Sequence, residues 1–319
     1  MAPTRPFDAH GRATAAAPGP PRDSTRGVAQ KINSEMVVLF GWGPAILLQF
    51  AHPLVAAGVA QHSAFSTTAR GRMYRLHHTV HAMLALTFGT PAQAARAAGR
   101  INAIHDRVHG SLHEPTPVFP QGFPYSAHDP ALLRWVHATM LYMLPRTYEL
   151  YVGPLTPEEK DRYCAEASTI APLLGIPAGY LPTSTSALRS YIDEMLAGGT
   201  IAVTATARAL ARELVHPPFP RVARPLLWLI QLATIGLLPP AIRKAYGFGW
   251  SPWQEAALRL SARLVRGFLP LVPAVFRYWP VARRAQYAVG RKSAPRGGSA
   301  SAEPRDASAP RAQLQRTWR

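Results

Sequence analysis

Residues 129–144 read "DPALLRWVHATMLYML" and contain both the start and the buried face of a helix. Asp129 is a favourable N-cap, and Pro130 takes the first helical position, where a missing backbone N–H costs nothing. The residues that then recur at helical spacing on one apolar face are Leu133, Val136, His137, Met140 and Leu144. The stretch therefore predicts a long helix that carries an imidazole, either structural or functional, on its buried side.

Similar signals continue along the chain in both directions. Residues 156–159, "TPEE", form a capping box with proline at the first helical position, and the Ala-rich segment 92–109 is predicted to be a helix that ends at Gly110. Long alternating Val/Ile/Thr runs, which would indicate strands, are missing. We predict an all-α fold of about ten helices in a single domain.

The ends of the chain have a different composition from its middle. Residues 1–27 are rich in Ala, Pro, Arg and Gly, and residues 286–319 are basic and rich in Ser, Pro and Gly, so both are predicted to be disordered. The predicted domain spans residues 28–285, with no Pro/Gly/Ser-rich linker inside it. The first residues contain no apolar segment of the kind found in secretory signal peptides, so we expect a cytoplasmic protein.

The net charge of +18 is concentrated in the last third of the chain. From Arg208 onward there are nineteen Lys and Arg residues against four Asp and Glu residues. The same third contains two long apolar runs, 225–242 and 264–280. These runs are either ordinary core helices or helices that lie on an anionic membrane surface. Nucleic acid is a poor partner for them, because the arginines alternate with large aliphatic side chains and no nucleic-acid-binding motif is present.

Histidine is the residue type that points to chemistry. Eight of the twelve histidines fall between residues 52 and 113, whereas the single cysteine, Cys164, excludes disulfides and CxxC motifs. In "INAIHDRVHG" (101–110), His105 shares an apolar stripe with Ile101, Ile104 and Val108. By periodicity alone, His105 is either a hydrogen-bonded core residue or a metal ligand.

A second group lies in "RLHHTVHAM" (75–83). Arg75, His78 and Thr79 share one helix face, which could bind and polarise a small anion or an oxygen species, or could simply be an exposed polar face. His62, at the end of an apolar segment interrupted at His52-Pro53, is either a pocket residue or a helix-terminal cation. His52 itself is interpreted as serving the local backbone geometry.

Three kinds of metal centre can be compared with these residues. A zinc hydrolase motif of the HExxH type is absent. A di-iron site needs two Glu-x-x-His repeats, and the chain has one, Glu213 to His216. Haem needs one imidazole on a buried helix face and an apolar cavity, so of the three centres haem fits a histidine-rich, acid-poor chain best.

Six blocks of the sequence resemble, in order, those of the MpaB/latex clearing protein (rubber oxygenase) family. They are "INSEMVVLFGWGPAILLQFAHPLVAAGVAQHSAF", "RLHHTV" with "LTFGTPAQA", "IHDRVHG", "YSAHDPALLRWVHATML", "YVGPLTPEEKDRYCAEA" and "LLGIPAGYLPTS". The resemblance spans residues 32 to about 250. It implies an all-α fold, expected to be globin-like in style, and, in the rubber-oxygenase branch, a pocket for a b-type haem. In the rubber-oxygenase branch it also implies cleavage of isoprenoid double bonds with dioxygen.

The resemblance also assigns residues. His105 matches the proximal haem ligand of the family's H-x-x-x-R block, with His109 in place of the arginine. Arg75, His78 and Thr79 match a distal R-x-x-K-T pattern, with His78 in place of the lysine. An imidazole at position 78 could donate a hydrogen bond to oxygen as lysine would, or could coordinate the iron itself.

These observations combine into one hypothesis. The chain is expected to be a haem b-dependent oxygenase that uses dioxygen on an apolar, isoprenoid or lipid-derived substrate, at the periphery of a membrane. His105 would bind the iron; Arg75, His78 and Thr79 would line the distal side; His62 and His137 would border the cofactor. The alternatives are a non-haem iron oxygenase and a non-catalytic protein of the same fold that binds lipid or membrane.

Overall fold

Helices make up nearly all the regular structure of the computed structural model, which describes residues 27–62, 69–217 and 224–284. The first α-helices in chain order are α1 (Val28–Asn33), α2 (Trp42–Phe50), α3 (Pro53–His62), α4 (Ala69–Phe88), α5 (Pro91–His105), α6 (Pro130–Tyr151) and α7 (Pro157–Ile170). They are followed by α8 (Thr185–Ala197), α9 (Ala205–Val215), α10 (Arg224–Gly236), α11 (Pro240–Ala245), α12 (Pro252–Phe268) and α13 (Ala274–Arg277).

Short 3₁₀ helices and one small sheet complete the described structure. The 3₁₀ helices span Met36–Gly41, Ala171–Leu174 and Leu269–Leu271. Strands β1 (His109–Ser111) and β2 (Pro124–Ser126) pair antiparallel, with His109 opposite Ser126. The all-α prediction is confirmed. The predicted disordered arms, apart from Gly27, lie outside the described residues.

Helix α6 is the central element of the core. Its N-cap is the predicted one, because the Ala131 N–H donates to the Asp129 carboxylate at 2.8 Å. Trp135, Met143 and Tyr151 are almost fully buried, and α6 packs against α2, α8 and the first 3₁₀ helix. A helix that is apolar on most of its circumference can be buried only if other helices surround it, so α6 organises the packing of its neighbours.

Two glycines allow helices to approach one another unusually closely. A Cβ atom on Gly41 would overlap the Thr147 hydroxyl on α6, and one on Gly43 would overlap the Thr234 hydroxyl on α10. Thr147 is fully buried, and its hydroxyl already donates to the Met143 carbonyl at 2.9 Å. The motif "GWG" (41–43) therefore sets the distance between α2 and the two helices on either side of it.

The polypeptide bends sharply between α2 and α3. The segments 36–50 and 53–62 meet at 105°, at the point where Pro53 lacks the N–H that would continue the helix. The His52 N–H donates to the Gln49 carbonyl at 3.1 Å, and the buried His52 Nδ1 accepts the Leu54 N–H at 3.3 Å. His52 thus holds the bend, as expected from the sequence.

Helices α4 and α5 form an antiparallel hairpin around a small core of their own. Thr90 begins α5 with a capping box, in which the Thr90 N–H donates to the Gln93 side chain at 2.8 Å. The buried residues between the two helices are Leu86, Ala94, Ala97 and Ala98. This cluster is separate from the main core around α6.

Helix α5 ends at His105, so the prediction that it continues to Gly110 is wrong. The chain turns at Asp106 and Arg107 and then enters β1, where pairing with β2 satisfies backbone groups that a helix would otherwise bond internally. Val108 therefore lies outside the helical stripe, and Ile104 is exposed.

Among the described residues, no single helix is long and apolar enough to cross a membrane. The bent pair 36–50 and 53–62 meets the length and composition test only when both parts are taken together. Within the apolar run 225–242, α10 stops at Gly236, and the Gln231 side chain donates to the Val215 carbonyl at 2.6 Å.

We predict that Gly41→Ala lowers the free energy of unfolding by about 1–3 kcal/mol, because the added methyl group overlaps a buried hydroxyl in a packed contact. The backbone at Gly41 has an ordinary φ of −78°, so overlap and not backbone strain causes the loss. Gly153→Ala is the matched control, because a Cβ there meets nothing within 4 Å. Urea unfolding of both variants tests the contact, and equal losses would contradict it.

Candidate functional site

The α4–α5 hairpin brings together the two sets of residues that the sequence singled out. On α5, the stripe that packs against α4 contains Ala94, Ala98 and Ile101, and its next member, eleven residues after Ala94, is His105. On α4, the stripe that contains the buried Leu86 continues backwards through positions 82, 79 and 75. Because the helices run antiparallel, His105 lies level with the region of Arg75 and Thr79, at the open end of the hairpin.

The polar residues of α4 at this open end are His78 and Thr79, and both are exposed. The described side chains of α4 begin at His77, so Arg75 is placed by its helix position alone. His77 and His81 lie on another face of α4, with ring centroids 4.1 Å apart. His77 and His81 therefore share a face of α4 that is distinct from the face of His78 and Thr79.

His105 is half-buried at the last position of α5, and its environment favours the neutral imidazole. Burial lowers the pKa of His105 below its usual value, the neighbouring His128 lowers it further, and Asp106 opposes the shift. Its Nδ1 atom is buried without a hydrogen-bond partner among the described residues. A buried polar atom normally has a partner, so this nitrogen is open to one that the described residues do not supply.

A second histidine, which the sequence did not single out, lies against His105. The His128 ring is edge-on to the His105 ring, with centroids 5.9 Å apart, and His128 Nε2 lies 2.7 Å from a carboxylate oxygen of Asp106. The ring of His128 is thus oriented by the residue that follows His105. The sequence signal was weak, because His128 stands in a loop before α6, remote from His105 along the chain.

His62 and His109 meet on the other side of the small sheet. Their ring centroids are 6.4 Å apart, and the His62 ring lies 6.2 Å from that of Tyr125, whose hydroxyl donates to Gln61 at 2.7 Å. His109 belongs to β1, so its predicted i, i+4 relation to His105 on one helix is wrong. Both histidines are exposed.

His137 lies where the sequence placed it, on α6. It is half-buried, and burial lowers its pKa to about 4, so the imidazole is neutral at ordinary pH. His52 behaves in the same way: burial lowers its pKa to about 4, although the charge of Asp129 opposes the shift. These two imidazoles are therefore neutral bases inside the fold.

A small apolar cleft, open to solvent, lies beside α4. The α4 residues that line it are Val80, Met83, Leu84 and Thr87, so the cleft begins next to Thr79 in the sequence. The remaining lining residues come from the N-terminal segment, from α6 and from the chain after α13: Asn33, Glu35, Val38, Leu39, Trp42, Leu144 and Trp279. Eight of these eleven side chains are apolar, which suits an apolar ligand.

An ion pair fixes one wall of this cleft. Glu35 is 4% exposed, and the Arg277 guanidinium donates to both of its carboxylate oxygens, with distances of 2.6 to 3.1 Å. The Trp279 N–H donates to the Ser34 carbonyl at 3.2 Å. The segment after α12 is thereby attached to the N-terminal segment, and Trp279 is held at the cleft.

A second cleft, between α3, β1 and α9, is more polar. Its empty volume is about 430 Å³, and its polar lining includes Gln61, His113 and Glu114. The Glu114 carboxylate accepts the N–H groups of Ala205 and Thr206 at 2.6 and 3.1 Å, so it caps α9. We assign this carboxylate a structural role.

The residues of the non-haem iron alternative lie at the end of α9. Glu213 and His216 are both exposed. Within the described ranges, no group of three or more His, Cys, Asp or Glu side chains is arranged to hold a metal ion.

One comparison with known proteins gives a match. The family model described as "ER-bound oxygenase mpaB/B'/Rubber oxygenase, catalytic domain" matches residues 29–267, which is most of the chain. Neither the curated proteins nor the solved structures contain a match. The match covers the α4–α5 hairpin, α6 and most of the cleft, and it ends before Arg277 and Trp279.

We predict that His52→Asn weakens the acid sensitivity of the fold. An unfolded chain protonates this histidine near pH 6.5 and the folded chain only near pH 4, so its contribution to stability is complete above pH 6.5 and is lost as the pH falls towards 4. The expected slope is about 1.4 kcal/mol per pH unit for this one group. Asparagine keeps an acceptor for the Leu54 N–H but does not titrate.

The measurement is the free energy of unfolding between pH 4 and 7 for the wild type, for His52→Asn and for the exposed control His216→Asn. The wild type and the control should lose stability in parallel, and His52→Asn should lose less. Parallel slopes for all three proteins would show that His52 is not held neutral.

Proposed function

Because this chain belongs to the mpaB/rubber oxygenase catalytic-domain family, and is therefore an oxygenase of the oxidoreductase class, we propose that it depends on haem b. We propose further that it acts with dioxygen on an apolar, isoprenoid or lipid-derived substrate. Family membership supports the oxygenase class; a b-type haem and an isoprenoid substrate are what the resemblance to the rubber-oxygenase branch implies, and residues of this chain support both.

The observation that carries the haem proposal is the state of His105. A ligating imidazole must be neutral and must have a nitrogen that is not engaged by the protein. His105 meets both requirements, since its pKa is lowered by burial and by His128, and Nδ1 has no partner among the described residues. His105 is accordingly the residue that would hold the iron.

Other imidazoles would support the cofactor without binding its iron. Ring orientation at a metal site is usually fixed by neighbouring groups, and we propose that role for His128, whose ring lies edge-on to that of His105 and is bonded to Asp106. His62 and His137 are proposed as residues bordering the cofactor, His62 from the end of α3 and His137 from α6. Because His137 is neutral, it adds no charge to an apolar pocket.

Haem b, when bound, supplies a redox-active iron that activates dioxygen. Arg75, His78 and Thr79 are proposed to act on the oxygen side. The Arg75 cation would favour developing negative charge, and the Thr79 hydroxyl would donate a hydrogen bond. An imidazole N–H of His78 would donate a hydrogen bond or a proton, the role implied for lysine in the resemblance.

The apolar cleft is proposed as the substrate pocket. Val80 and Met83 continue α4 directly from Thr79, so a ligand in the cleft would lie next to the proposed oxygen side. The polar groups Glu35 and Arg277 at the wall are engaged with each other, which leaves mainly aliphatic and indole surface for the ligand. An elongated hydrocarbon is the substrate class that this lining accommodates best.

We predict that His105→Ala abolishes stoichiometric haem binding. The full chain would be expressed with a haem precursor, and the haem content per chain would be measured from the pyridine haemochrome spectrum. His113→Ala is the matched control, since His113 is an exposed histidine outside the hairpin. The wild type and the control should bind about one haem per chain, by the single-ligand expectation for a haem pocket.

Three results would overturn the haem proposal. In the first, the wild type carries no haem; in the second, it carries iron without porphyrin. In the third, His105→Ala retains full haem content, which would mean that another residue holds the iron.

We predict that Leu84→Trp reduces oxygen uptake about tenfold or more with isoprenoid substrates while haem content stays unchanged, because the larger side chain fills the cleft. His81→Trp adds the same indole to an exposed position on the same helix and serves as the control. Oxygen consumption with a panel of isoprenoid and fatty-acyl compounds is the measurement. Equal activity of both variants would place the substrate elsewhere.

A further inference from the structure

The exposed apolar side chains of this protein are concentrated at one end of the chain. Among the described residues, thirteen large hydrophobic side chains are exposed, and nine of them lie between α10 and α13: Leu226, Trp228, Trp253, Leu260, Leu264, Phe268, Leu271, Val275 and Phe276. A cluster of this kind on a folded surface indicates a contact with another apolar phase or partner.

Helix α12 presents the centre of this surface. Its inner side buries Leu258, Ser261 and Ala262. The Arg266 guanidinium donates to the backbone carbonyls of Glu149 and Leu150 on α6, so that side of α12 is held against the core. The outer side carries an apolar stripe of Trp253, Leu260, Leu264 and Phe268, at spacings of seven, four and four residues, which Leu271 of the following 3₁₀ helix extends. We call this the α12 stripe.

An arginine row follows one edge of the α12 stripe. Arg259 and Arg263, at i and i+4, are both exposed and form this row, whereas the next arginine, Arg266, is bonded to the carbonyls of α6. In residues 224–284 there are nine Lys and Arg residues and one acid, Glu255. That acid is already engaged, because it accepts from the Trp250 indole and the Arg259 guanidinium, each at 3.0 Å.

Two tryptophans extend the α12 stripe onto α10. The rings of Trp228 and Trp253 are parallel within 4°, with centroids 6.5 Å apart, and both are exposed. Both indoles still leave apolar surface in contact with water, and tryptophan is a residue that favours the boundary between hydrocarbon and headgroups. The last exposed aromatic side chain, Phe276, is 71% exposed on α13.

We propose that the α12 stripe, with Trp228 and Phe276, docks on an anionic membrane surface, with the apolar side chains among the acyl chains and the arginine row at the lipid headgroups. The charge decides between occupants. A two-fold dimer through this face would bring two cationic surfaces together with Glu255 as the one acid that residues 224–284 of each copy supply, whereas anionic lipid neutralises the arginines. Amphipathic helices with one apolar and one cationic face commonly bind parallel to the membrane plane.

The docked segment also continues into the apolar cleft. Arg277, next to Phe276, is bonded to Glu35, and Trp279 lines the cleft. A hydrocarbon dissolved in the bilayer would therefore be close to the cleft, because the docked segment continues into the cleft wall. This part of the inference rests on the proposed function, whereas docking itself does not.

Vesicle co-sedimentation of the full chain tests the docking. Vesicles of phosphatidylcholine alone are compared with vesicles that contain 30% phosphatidylglycerol, at about 0.1 and 0.5 M salt. We expect binding to the anionic vesicles, a blue shift of tryptophan emission, and weaker binding at high salt. The double substitution Leu264→Ser with Phe268→Ser should weaken binding about 10-fold or more, since both side chains are exposed and their loss leaves every arginine in place.

The matched control is the double substitution Val118→Ser with Leu173→Ser, which removes two exposed apolar side chains from other parts of the surface. It should bind vesicles as the wild type does. Circular dichroism of both double variants checks that they fold, and haem content, measured separately, tests the proposed function independently of docking.

Two outcomes would overturn the proposal. The first is equal vesicle binding by both double variants, which would assign binding to charge elsewhere in the chain. The second is a wild type that does not bind vesicles but forms a dimer in sedimentation analysis that Leu264→Ser with Phe268→Ser dissociates, which would make the α12 stripe a contact between copies.

Discussion

The fold depends on the burial of α6 at the centre of the molecule. A helix that is apolar on most sides must be covered on most sides, and the cover is provided by α2, α8 and the first 3₁₀ helix. The close approach at Gly41 and Gly43 allows α2 to pack between α6 and α10. With the core closed in this way, the α4–α5 hairpin packs around its own small cluster, and a cleft remains between α4 and the N-terminal segment.

This arrangement gives the site its chemical character. His105, whose pKa is lowered by burial and by His128, ends α5 level with the part of α4 that contains positions 75, 78 and 79. Burial keeps His52 and His137 neutral, so their imidazoles add no charge to the apolar core. The cationic excess lies instead on α10 to α13, where arginines flank the exposed α12 stripe. The protein thus separates an apolar, weakly charged interior from a cationic outer face.

Much of the fold and part of the site could be predicted from the sequence. The N-cap at Asp129, the capping box at Thr156 and the bend at Pro53 follow from local rules of hydrogen bonding, and all three are present in the structure. The position of residues 75 and 79 level with His105 follows from helix periodicity once the two helices form a hairpin.

The errors and omissions arise from contacts between residues distant in sequence. The end of α5 at His105 depends on pairing between β1 and β2. Strands of three residues are too short for their composition to predict that pairing. His105 contacts His128, and Glu35 pairs with Arg277. Both contacts join segments that are distant in the sequence, so helix periodicity could not predict them. Burial also could not be predicted for the last third, where the same apolar runs contribute side chains both to the core and to the exposed α12 stripe.

The central claim is that this oxygenase is a haem b protein with His105 as the iron ligand. The most direct test is the absorption spectrum of the purified full chain in the oxidised and dithionite-reduced states, after expression with a haem precursor. The account predicts a Soret band that shifts on reduction and the visible bands of haem b, with a low-spin six-coordinate form if His78 also binds the iron. A colourless protein under these conditions would contradict the account.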